Sequence, residues 1–122
     1  MLVSTAINGM LEIRSALRDT GGVSNPAFIS EQIQKLAQYT GVAEEHLAEQ
    51  ESALVKLEAQ KFQEYIDSGK SVNMTTGLMK YAFSDERADI TKLSRLANSS
   101  WKIIGVAQSR IKHLIAEANN QI

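Results

Sequence analysis

The chain has 122 residues, no cysteine and a formal net charge of −1. That length sets one domain at most, the missing thiols exclude a disulfide framework and a thiolate metal site, and the near-neutral balance leaves no global footprint for nucleic acid. The balance hides an asymmetry. Residues 1–70 carry 6 basic and 10 acidic side chains, whereas residues 71–122 carry 7 and 4, so a polyanion is expected to favour the C-terminal half.

The longest uncharged runs, 1–11 and 20–30, are far shorter than the ~20 apolar residues of a membrane span. Ile7, Met10, Leu11 and Leu17 recur at helical spacing without the basic flank of a signal peptide. They predict an amphipathic helix over about residues 4–18, ending before the breaker pair Gly21-Gly22. A soluble, cytoplasmic protein is the expectation.

Asn25-Pro26 reads as an N-cap followed by proline at the first helical position. The next helix should run from 26 to 67, where Ser68-Gly69 stops it. Its seam runs Ile29, Ile33, Leu36, Thr40, Ala43, Leu47, Gln50, Leu54 and Leu57, in alternating steps of three and four. Gly41 could split this stretch, but the phase continues across it, which favours one continuous helix.

Residues 68–76 read as a polar loop, followed by a short helix over about 76–83 capped near Thr75 or Thr76. Ser84, with Asp85 and Glu86 behind it, opens a last helix over about 85–118. Its seam runs Ile90, Leu93, Ala97, Ser100, Ile104, Ala107, Ile111, Leu114 and Ala118. The fold class is therefore all-α: a short N-terminal helix plus two long packed helices with heptad-type seams. Extra apolar residues at Leu96, Ile103 and Ile115 exceed what one hairpin can cover, so the protein is expected to be oligomeric. Ile104, Ile111 and Leu114 on the seam are the candidate oligomerisation residues, with Trp101 as a packing anchor beside them.

Nothing in the chain reads as an active site. His46 and His113 lie on separate helices, and His46 beside Glu45 and Glu49 lacks the HExxH order of a zinc site. Ser99, Ser100 and Ser109 have no nucleophile-elbow context. Gly21-Gly22 lacks the phosphate-loop pattern, and Glu44, Glu45, Glu49, Glu51 and Glu58 are most simply a hydrated face. No enzyme activity, cofactor or metal is expected. Residues 90–116 differ, holding Lys92, Arg95, Lys102, Arg110, Lys112 and His113 with no acid among them. All but Arg110, which flanks the seam, share the face opposite it. Such a stripe suits a phosphate backbone; an ordinary solubilising face is the competing reading.

From residue 55 onward the chain resembles the UvsY-like family of phage recombination mediators. Leu57-Glu58-Ala59-Gln60-Lys61 is similar to that family's Ile/Leu-Glu-Ala-Gln-Lys segment. Asp85 through Leu96, then Trp101, resembles its acidic start, lysine, leucine and downstream tryptophan. Ser109-Arg110-Ile111-Lys112-His113-Leu114 resembles its Ser-Arg…Ile-Lys-His-Ile ending, with a short insertion missing. The resemblance covers about half of the chain. It implies assembly on single-stranded DNA, loading of a RecA-type recombinase onto strands coated by single-strand-binding protein, rings formed through C-terminal helices, and no hydrolysis. One departure stands out: the family's basic Lys-x-Arg motif is shortened here to Lys61 and Lys70, flanking Phe62, Tyr65 and Asp67.

The expected function is a non-enzymatic, single-stranded-DNA-binding accessory protein of phage recombination. Lys61, Lys70, Lys92, Arg95, Lys102, Arg110 and Lys112 are the expected phosphate contacts. The alternative is a helical protein-interaction adaptor or inhibitor that uses the acidic N-terminal half.

Overall fold

A computed structural model describes residues 1–19 and 25–120; the Gly21-Gly22 pair lies outside them. Among the described residues four helices follow in chain order, α1 (Val3–Asp19), α2 (Pro26–Asp67), α3 (Val72–Met79) and α4 (Ser84–Asn120). No strand occurs among the described residues.

The start of α2 follows from two residues. Asn25 has an extended backbone, and its side chain accepts from the Ala27 and Phe28 N–H groups at 3.0 and 3.3 Å. Pro26 lacks the N–H that would otherwise need a partner in that first turn. The helix then continues through Gly41 for 42 residues, a rod of ~63 Å at ~1.5 Å per residue. At its end Gly69 adopts φ +92°. The Gly69 N–H donates to the Ile66 carbonyl and the Lys70 N–H to the Tyr65 carbonyl, at 3.0 and 3.1 Å. These paired bonds satisfy the last carbonyls and need the left-handed backbone that glycine adopts without strain.

The short helix lies earlier than the spacing suggests, at Val72–Met79 and not about 76–83. Its cap is Ser71, whose Oγ accepts from the Met74 N–H at 3.1 Å. Thr75 and Thr76 lie inside the helix and do not cap it: Thr75 is wholly buried, and the Thr76 hydroxyl donates to the Val72 carbonyl. Ser84 likewise does not cap α4. It is the first helical residue, and its hydroxyl donates back to the Tyr81 carbonyl at 2.9 Å. Between the two helices Phe83 takes φ 58°, a left-handed conformation unusual for a bulky side chain.

The long helices are antiparallel: Arg87 of α4 bonds Glu58 of α2, and further along α4 Trp101 bonds Glu44 nearer the start of α2. In α2 the buried residues are Ile29, Ile33, Leu36, Thr40 and Ala43; in α4 they are Leu93, Ala97, Ser100, Ile104 and Ala107. Steps of three and four put each set on one helix face. Helix α1 lies antiparallel on the first half of α2 and adds Met10 and Ile13 to the same cluster. Here the Tyr39 ring packs on the α1 backbone: a Cβ built on Gly9 would sit 2.5 Å from its Cε2. Beyond Ala43, where α1 no longer covers α2, Leu47, Gln50 and Leu54 are only half-buried and Leu57 is exposed. The core thus occupies one half of the rod.

Candidate nucleic-acid interface

The cations expected to form one stripe fall into separate groups. At the α3–α4 end, Lys80, Arg87, Lys92 and Arg95 line an open groove of about 560 Å³, with no acid among its lining residues. Arg87 is not available to a ligand in the same way as its neighbours. Its Nη2 lies 3.2 Å from Glu58 Oε1, both side chains being 35% exposed, and its guanidinium also donates to the Met79 and Lys80 carbonyls. Lys80, Lys92 and Arg95 are exposed and make no ion pair among the described residues. Thr91 and Ser84 complete the polar lining.

Lys61 and Lys70 are brought together on one ring. Their ammonium groups lie 5.1 and 5.4 Å from the centroid of Tyr65, a cation–π arrangement. The turn at Gly69 is what folds Lys70 back over the end of α2. Lys61 also lies 3.5 Å from Glu64 Oε2, which offsets part of its charge. Phe62 and Tyr65 are half-buried.

Lys102 and Arg110 belong to a different neighbourhood. They share a cavity with Arg14 and Arg18 of α1. Lys112 is exposed on α4, and His113 Nε2 lies 3.1 Å from Glu117 Oε1 within the same helix. Sequence reasoning left out Lys80, Arg87, Arg14 and Arg18. The i,i+4 spacing of Arg14 and Arg18 signals a shared helix face, but nothing local says that this face meets α4.

The candidate oligomerisation residues have unequal exposure. Ile104 is 5% exposed and belongs to the core of the single chain; Ile111 and Leu114 are half-buried against that core. Trp101 is 42% exposed, and its Nε1–H donates to Glu44 Oε1 at 2.8 Å, tying α4 to α2. Exposed apolar side chains on α4 include Val106 and Ile115 as well.

The serines weighed as nucleophiles are occupied by backbone. Ser99 and Ser100 both donate to the Leu96 carbonyl, and Ser109 to that of Gly105. No group of three or more potential metal ligands converges among the described residues, and no helix there is long and apolar enough to cross a membrane. The chain matches no protein-family model, no curated protein and no solved structure.

Proposed function

We propose that this protein is a non-enzymatic accessory protein that binds single-stranded DNA through its α3–α4 end, and that it acts as a mediator in phage recombination. The observation that carries the reading is the groove at Lys80, Lys92 and Arg95, with no acid along its lining. Exposed cations of this kind neutralise phosphates and release counterions without reading sequence. The two lysines over Tyr65 add an aromatic face beside positive charge, the combination on which single strands stack. Resemblance to the UvsY-like mediators supplies the rest of the role: a RecA-type recombinase and a strand coated by single-strand-binding protein as partners, in a homo-oligomer. Self-association matters to affinity because one protomer presents few cations, whereas several copies on one strand gain avidity of ~10²–10⁴.

The test is a salt series of oligo(dT) binding. Log K should fall linearly with log salt, at ~0.7 per phosphate contacted. Changing Lys80, Lys92 and Arg95 together to glutamine should weaken binding and flatten that slope while helicity stays the same. Absence of binding at low salt would sink the reading and leave the acidic adaptor, with the exposed Glu45, Glu49 and Glu51 as its contact face.

A further inference from the structure

The last turns of α1 meet the second half of α4 around a cavity of about 340 Å³. Its floor is apolar, formed by Leu17 of α1, Ile29 of α2, and Ile103 and Ala107 of α4, with Val106 at its open edge. Its rim is cationic, with Arg14 and Arg18 from one side and Lys102 and Arg110 from the other. No acidic side chain is among its described lining residues. Val106 is 71% exposed although apolar, and the Arg14 Nε is buried without a hydrogen-bond partner among the described residues.

We propose that this cleft docks a short acidic–apolar peptide segment of a partner protein. Its aliphatic side chains would lie on Leu17, Ile103 and Val106, and its carboxylates would meet Arg14, Arg18 and Lys102. Charge number and spread select this occupant. Arg14 and Arg18 are one turn apart, ~6 Å along α1 at ~1.5 Å per residue, and Lys102 lines the same cavity from α4. A fatty acid has one carboxylate and reaches one end of that span. A nucleic-acid strand supplies the charge but no aliphatic side chain for the floor. A peptide with alternating acidic and apolar residues supplies both, with charge-assisted hydrogen bonds at the rim and apolar burial below. The groove at Lys80, Lys92 and Arg95 is separate, so the peptide and the strand have different principal sites.

The experiment uses fluorescence anisotropy of the full chain with a labelled peptide of alternating aspartate and leucine, a matched aspartate–serine peptide, and oligo(dT). Expected are saturable binding of the aspartate–leucine peptide and at least about tenfold weaker binding of the serine version. Arg14→Gln with Arg18→Gln should weaken the peptide by about tenfold or more and leave oligo(dT) affinity within about twofold. Val106→Asn, at a position 71% exposed in the protein, should weaken the aspartate–leucine peptide alone. Equal binding of the two peptides, or parallel loss of oligo(dT) in the arginine variant, would make this a general polyanion surface and overturn the proposal. Full displacement by decanoate would assign the cleft to a small amphiphile. A fall in sedimentation mass of the variants without peptide would assign it to a second copy of the chain; either result also overturns the proposal.

Discussion

Two helical glycines should respond to alanine with opposite signs. Gly41 has open space around its Cβ position and lies inside α2, so Gly41→Ala removes only the entropy cost of glycine. It should raise stability by up to ~1 kcal/mol, read as a higher melting temperature. Gly9 has the Tyr39 ring where its methyl would go, and Gly9→Ala should destabilise by ~1–3 kcal/mol through overpacking. A stabilised Gly9→Ala would mean that α1 does not pack on α2 as described. Continuity across Gly41 was legible in the sequence because the apolar phase runs on through Ala43 and Leu47. The Gly9 contact was not, since it depends on which face α1 presents to a residue thirty positions away. Buried Thr40 and Ser100 show a related limit. Each hydroxyl donates to a carbonyl four residues back, at 2.7 and 2.9 Å, so neither needs a partner across the interface. Their polarity in the seam carries no information about pairing.

At the level of elements, Arg87 holds three helices at one point. It bonds Glu58 of α2 and the Met79 and Lys80 carbonyls at the end of α3 while sitting in the first turns of α4. Arg87→Ala should cost ~1–3 kcal/mol, because it leaves a half-buried carboxylate and the carbonyls without their donor. Chemical denaturation should show a lower midpoint, and Glu58→Gln should lose less. An Arg87→Ala midpoint equal to that of the parent chain would remove this clasp from the account. Sequence periodicity located both long helices through their steps of three and four. It misplaced α3, because an eight-residue helix shows too few turns for a period and its start was decided by competition among Ser71, Thr75 and Thr76 for the capping position. Ser71 holds that position by accepting from the Met74 N–H, while Thr75 is buried, a tertiary outcome that local spacing does not report.

For the whole molecule, the exposed Trp101 and Ile115 on α4 and Val55 and Leu57 on α2 leave apolar surface for self-association. Sedimentation at micromolar concentration should give a mass well above one chain. Ile115→Glu should lower it with helicity retained, since Ile115 is 48% exposed. The same substitution at Ile104 would instead place a charge in the protomer's own core. A monomeric parent protein would remove the avidity argument. The basic residues of α4 were visible in the sequence as one stripe. Their division between the α3 end and the α1 end was not, because Lys80, Arg14 and Arg18 join them only through packing.

Confinement of the core to Ile29–Ala43 of α2 has a consequence for how the rod opens. Amide protons within that stretch are shielded by contacts from α1 and α4, so their exchange with deuterium should require unfolding of the entire chain. Those from about Gln50 to Asp67 have α3 and the start of α4 as cover and should exchange through a smaller, cheaper opening. The slowest amides should therefore cluster in the first half of α2, and the boundary should fall near Leu47. A strand bound across Lys80, Lys92 and Arg95 would slow exchange selectively at the looser end, making the protection pattern a direct record of where the ligand sits. Uniform protection along α2 would mean that the rod melts as one unit.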